Sequence, residues 1–147
     1  MSDETLVGKN KGKLKIINTH MGVFDFQIRC LVGNYEAGLK HASNLFEDNV
    51  EEVASESNGG YMTRGQTFYR VGYVPIVWIP RRPQTPREYA TLAHECIHAI
   101  NHMFHWAAVP LGGDTEEVFA HSVSHLMTSI LEALPTKKKT RSKKVSE

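Results

Sequence analysis

The sequence predicts a mixed α+β domain, and three observations carry that expectation. Residues 23–32 alternate, with Phe24, Phe26, Ile28 and Cys30 on one side and Asp25, Gln27 and Arg29 on the other, which is the period of a half-buried strand. Residues 61–79 are rich in Tyr, Phe, Val, Ile and Trp, the side chains that suit a pleated surface. The C-terminal half then changes character: residues 89–106 hold no Gly or Pro, and Asp114-Thr115-Glu116-Glu117 opens a second stretch of the same kind. A small mixed sheet, one helix from the N-terminal half and two C-terminal helices follow from this layout.

In chain order, residues 1–12 are polar with two glycines and read as a loose arm. Residues 14–17 form a short strand, residues 23–32 a longer one, and Gly33-Asn34 turns the chain. Residues 35–46 read as a helix with Leu39, Ala42, Leu45 and Phe46 on one side. Residues 47–60 carry five acids and few apolar groups, the composition of a surface loop or frayed helix; a solvated acidic face explains them more simply than a cation site. Gly65, Gly72 and Pro75 interrupt the strand-forming region, and Pro75, which cannot donate to a ladder, points to an edge strand or a bulge there. Arg81 and Arg82 follow in a loop, as solvated charges or as a contact for an acidic group.

The next helix is well announced. Thr85-Pro86-Arg87-Glu88 has the hydroxyl, the proline and the glutamate of a capping box. Ala93, Ile97, Ile100, Phe104 and Ala107 recur in steps of four and three, drawing one apolar face along a helix of about 20 residues. Pro110 and Gly112-Gly113 end it, and Leu134-Pro135 ends the helix after it.

Composition bounds the setting. The 147 residues, 41% hydrophobic and 22% charged, suit one soluble domain with a modest core. Two cysteines make no disulfide framework, the N-terminus has no apolar segment of a secretory signal, and no run approaches the length of a membrane span. A reducing cytoplasm is the expected setting. The formal net charge of +1 hides an asymmetry, because residues 1–135 hold 11 basic and 15 acidic residues whereas the last 12 hold 6 basic and 1 acidic. The domain is therefore expected over residues 13–135, with residues 136–147 as a disordered basic tail. That tail either makes salt-dependent contact with nucleic acid or an acidic partner, or simply solubilises the chain.

The chemistry concentrates in His94-Glu95-Cys96-Ile97-His98. With 3.6 residues per turn, His94 and His98 stand one turn apart on one helix face, where two imidazoles can share a metal ion. Glu95 lies on the adjoining flank, placed to take a proton from water at the metal. Zinc suits this set, being content with nitrogen and oxygen ligands and with a position left open. The plain alternative is chance spacing in a chain with 8 histidines. The long metzincin continuation needs a glycine where Asn101 stands and a histidine where Phe104 stands, so that form is excluded. His102 is 8 residues from His94, about 12 Å of helix rise, too far for both to bind one ion, and His105 is farther still.

A third ligand is needed from further along the chain, and Glu117, on the next helix, is the choice. Glu117 leaves an 18-residue connection after His98, enough to finish one helix, turn and bring another alongside. Glu117, His121 and His125 form a stripe at i, i+4 and i+8, with Glu117 as ligand and His121 near the open site. Glu116 is the nearest competitor, and with Asp114 as N-cap Glu117 also stands where a capping glutamate would. Cys96 reads as a small packing residue.

The run Ala93-His94-Glu95-Cys96-Ile97-His98-Ala99, the glycine turn and Glu116-Glu117-Val118-Phe119-Ala120-His121 resemble the small zincin-like metallopeptidases encoded by tailed phages and prophages. These are similar to the gluzincin group, whose third ligand is a glutamate on the helix after the motif helix. The resemblance covers residues 66–133, including Val77-Trp78-Ile79-Pro80 before the motif helix. It implies a zincin-like fold, Zn²⁺ held by His94, His98 and Glu117, Glu95 as general base, and a peptide or protein substrate. It also implies that the strand before the motif helix, residues 75–79, is the sheet edge that holds an extended substrate. In the pattern the chain resembles, many members carry tyrosine at the position of His121. Two other readings use the same residues: a phage accessory or assembly protein stapled by zinc without catalysis, and a DNA-associated protease that uses the basic tail.

Overall fold

The computed structural model describes residues 13–55 and 64–136; the N-terminal arm expected from the sequence and all but the first residue of the expected basic tail lie outside them, as do residues 56–63. The described chain is a mixed α+β fold. Strand β1 (Leu14–Met21) pairs antiparallel with β2 (Phe26–Gly33), helices α1 (Tyr35–Phe46) and α2 (Val50–Ser55) follow, then strands β3 (Gln66–Phe68) and β4 (Ile76–Ile79), and helices α3 (Pro86–Trp106) and α4 (Glu116–Ala133). The sheet order is β1-β2-β4-β3, with β4 parallel to β2 and antiparallel to β3.

Both sheet faces are covered, which makes three layers. On one side Ile28, Cys30, Val77 and Ile79 pack with Leu92, Cys96, Ala99, Ile100 and Met103 of α3 and with Leu126 and Ile130 of α4. On the other, Leu31, Ile76, Trp78 and Phe68 pack with Leu39, Ala42 and Phe46 of α1 and with Val53 of α2. Central strand β4 is buried at all four residues, hence the unbroken apolar run Ile76-Val77-Trp78-Ile79. The sheet comes so close to α1 that a Cβ on Gly38 would stand 2.7 Å from Trp78 Cδ1.

Several expectations need correction. Pro75 marks no edge: β4 runs inside the sheet between β2 and β3, and β3 is the edge strand beside the motif helix. Pro75 sits immediately before the ladder, where a missing N–H costs nothing, and its carbonyl accepts from Arg29 N–H at 3.1 Å. The first strand is twice as long as expected, reaching Met21. The strand expected from residue 23 begins at Phe26, because Gly22–Phe24 is a 3₁₀ turn closed by Asp25 at φ 46°. Of the two forms expected for the acidic stretch, loop or frayed helix, its described part takes the short helix α2.

Helix α1 has the expected bounds, opened by Asn34 Oδ1 accepting from Ala37 N–H at 3.1 Å. Helix α3 starts at Pro86 through the capping box: Thr85 Oγ1 accepts from Glu88 N–H at 3.2 Å, and Glu88 Oε2 accepts from Thr85 N–H at 3.1 Å. Of the face expected from the sequence, Ile100 and Phe104 are buried but Ile97 is 45% exposed, and Leu92, Cys96, Ala99 and Met103 complete the core-facing side. Ile97 stands at the rim of the apolar stripe. Helix α4 runs antiparallel to α3, with the Phe119 ring on Phe104 (centroids 5.2 Å apart) and the carbonyls of Leu131 and Leu134, at its other end, accepting from Arg82 Nη1. Arg82 is thus a structural cap for the C-terminal carbonyls of α4. No helix among the described residues is long and apolar enough to cross a membrane.

Candidate metal centre

Helix α3 lies with its core-facing side in the sheet–helix layer and its opposite side in solvent, and His94 and His98 stand on the open side. One helical turn brings their rings together. The two Nε2 atoms are 3.0 Å apart and the rings meet edge to face at 77°. Such a contact pairs an Nε2–H of one ring with the unprotonated Nε2 of the other, the tautomers deciding which donates. Zinc–nitrogen bonds of about 2.0–2.1 Å set two ligand nitrogens of a tetrahedral site about 3.3 Å apart, so the two Nε2 atoms already stand near the spacing one ion needs, and a turn of the rings would aim both lone pairs at it. The donor pair therefore fits the metal expected from the motif.

Glu95 points to the adjoining side, toward β3. Strand alternation turns Gln66 and Phe68 to the α1 layer and leaves Thr67 facing α3. The Thr67 hydroxyl is 2.7 Å from Glu95 Oε2 and 3.0 Å from the Glu95 carbonyl oxygen. Its short contact with the carboxylate is the charge-assisted one. Glu95 is only 8% exposed, so this bond is what satisfies the carboxylate on its buried side. The approach of the strand is tight: a Cβ on Gly65 would lie 2.8 Å from Thr91 Cγ2 and 3.2 Å from Glu95 Cγ. A glycine at residue 65 is the condition for β3 to lie against the motif helix.

One turn beyond His98, the His102 ring stacks on Tyr69 with centroids 3.7 Å apart and planes 7° apart. Burial, and to a lesser degree the nearby His98 and His105, hold the His102 imidazolium below its usual range, so the neutral ring is favoured. Tyr69 and Thr67 were not singled out from the sequence; the signal available was only that they belong to a strand region just before the motif helix. Cys96 is buried among core residues, and burial, then the Glu95 charge, push its thiol up to about 12, which keeps it protonated and inert.

The residues expected from α4 are not gathered with these. Glu117 and His121 lie at its exposed start, 87% and 81% exposed at the side chain, and face each other with His121 Nε2 3.4 Å from Glu117 Oε2. The antiparallel register that sets Phe119 on Phe104 carries Glu117 toward the C-terminal end of α3, away from the level of His98. His125 turns to the other side and lies 3.2 Å from the His20 carbonyl oxygen. Among the described residues no three His, Cys, Asp or Glu side chains converge as a metal site. Glu117 is not a capping residue either: Thr115 is the N-cap and no side chain caps the helix.

Comparison with known protein families, with curated proteins and with solved structures finds no match for this chain.

Proposed function

We propose that this chain is a zinc-dependent metallopeptidase of the small zincin-like kind that phages encode. The observation that carries the reading is the assembly on one stretch of α3: two Nε2 atoms 3.0 Å apart on its open face, and a carboxylate on the next flank fixed against the edge strand. His94 and His98 would hold the ion, with Glu117 as the proposed third ligand, which requires the first turn of α4 to move toward His98 as well as Glu117 to leave His121. When bound, zinc supplies a Lewis acid that polarises the scissile carbonyl and acidifies water.

The chain's own residues do the rest. Glu95 accepts the proton of the attacking water and passes it to the amine nitrogen as the carbon–nitrogen bond breaks. Thr67 holds Oε2, which orients the carboxylate and leaves Oε1 for that transfer. Strand β3, at the sheet edge, offers backbone N–H and C=O groups along the same flank for an extended peptide. His121 stays a proposed oxyanion donor on the same footing as Glu117, since both must turn toward α3.

One observation favours a second reading. Glu95 is buried and bonded like a staple between helix and strand, which a zinc-stabilised accessory protein without catalysis would use equally well. Metal content and hydrolysis of a casein or peptide substrate, measured on wild type and Glu95→Gln together, separate the two. About one zinc per chain with hydrolysis only in the wild type supports the peptidase; zinc without hydrolysis in either supports the accessory protein; no zinc at all removes both.

A further inference from the structure

Beside the N-terminal half of α3, at the end of β3 away from His98, lies a cavity of about 390 Å³ walled by Arg64, Ile79, Pro80, Arg81, Thr85 and Glu88 among others. Its charges are unequally used. Glu88 accepts from Arg81 at 2.7 and 3.1 Å and from the backbone N–H groups of Gln84 and Thr85 at 2.7 and 3.1 Å, so the negative charge is fully engaged. Arg81 is the partner that neutralises it. Arg64 is exposed and makes no hydrogen bond or ion pair among the described residues, which leaves one unmatched guanidinium at the cavity wall. The positive end of α3 adds to the same field.

The cavity lies in line with the candidate centre. Gly65, the neighbour of Arg64, is packed against Thr91 and Glu95, and Thr67 is bonded to Glu95, so β3 tracks α3 from the cavity toward the histidines. Glu88 and Glu95 are seven residues apart on the helix, about 10 Å of rise. An extended chain covers that length in about three residues.

We propose that this cavity is a subsite for an acidic side chain, with Arg64 as the recognising cation. A peptide laid along β3 would place the glutamate or aspartate about three residues from the bond facing Glu95. The site of cleavage follows from the peptidase reading, but the binding preference does not depend on it. An aspartate or glutamate matches Arg64 because a planar guanidinium takes a carboxylate through paired N–H donors. Free phosphate would use the same donors without the backbone contacts of β3.

The test uses the full chain carrying Glu95→Gln, with fluorescent ten-residue peptides of Ala, Ser and Gln in which one Glu is walked through the positions. Glu at one position is expected to tighten binding about tenfold over Gln there. Arg64→Ala should abolish that preference, and Arg64→Glu should transfer it to the peptide with Lys at the same position. Arg64 is exposed, so unchanged thermal unfolding of both variants is expected and separates recognition from folding. Equal affinity for Glu and Gln peptides at every position, or a preference that survives Arg64→Glu, overturns the subsite, as does failure of all peptides to bind. Inorganic phosphate competing as well as the Glu peptide would show an anion site without peptide recognition, and overturns it too. Preference without hydrolysis by the wild-type chain refutes only the peptidase reading, and hydrolysis without an Arg64-dependent preference refutes only the subsite.

Discussion

The two C-terminal helices carry the candidate ligands in opposite circumstances. In α3 the motif lies in the middle of 21 residues, opened by a complete capping box and packed through seven buried residues, with β3 pressed against one flank. In α4 the expected ligand lies in the first turn, where no side chain caps the helix and nothing is buried before Ser122. His94 and His98 are therefore fixed relative to each other by one rigid element, whereas Glu117 must be delivered by a helix end whose nearest firm anchor is Phe119 on Phe104. A ligand's position is as good as the packing within a turn of it.

The largest effects should come from the packed side. Glu95→Gln should lower hydrolysis by ~10²–10⁴-fold while zinc content is retained, because the amide keeps the shape and loses the base. His98→Ala should lose the zinc, read by metal analysis of the purified protein; full occupancy there would take the pair out of any metal role. Next, Thr67→Val removes the hydroxyl from a buried carboxylate and should cost about 1–3 kcal/mol in chemical denaturation. Hydrolysis should fall with it. Loss of stability with full activity would make Thr67 a staple only.

Glu117→Ala should raise the zinc dissociation constant against a competing chelator while Glu116→Ala leaves it unchanged. Both are exposed, so each should alter stability within about 0.5 kcal/mol. A larger zinc effect from Glu116→Ala would assign the ligand to its neighbour, and no effect from either would leave the first turn of α4 outside the centre. The caps differ in the same sense: Thr85→Ala should cost about 1 kcal/mol, since its oxygen receives a helix N–H.

The smallest effect is on pH. Burial, and then the Arg29 charge, depress His41 below its usual 6.5, and Arg29 Nη1 lies 3.0 Å from His41 Nε2, which must be unprotonated to accept. The unfolded chain then binds more protons than the folded one below about pH 6.5. The contribution of His41 is whole above that pH and is lost as the pH falls through the folded value. His102 works in the same direction through its burial on Tyr69. Urea midpoints between pH 7.5 and 5 should fall, and less steeply for His41→Gln; an unchanged slope would show that His41 does not report this contact.

Local patterns decided much. The capping box, the span of α1, the existence of α3 and α4 and the pairing of His94 with His98 all depend on residues within one or two turns of each other, so propensity and spacing were enough. Which strand forms the sheet edge was not of that kind. It depends on the parallel pairing of β2 with β4 across more than 40 residues, and Pro75 gave the wrong signal because its lost donor falls outside the ladder. The outward turn of Ile97 was likewise hidden, since an apolar residue at helical spacing does not say where the buried stripe, here through Leu92, Cys96, Ala99 and Met103, stops. The same register decided the distance between Glu117 and the histidines. A spacing of 18 residues permits an approach, but the contact of Phe119 with Phe104 fixes how far along the neighbouring helix that approach occurs.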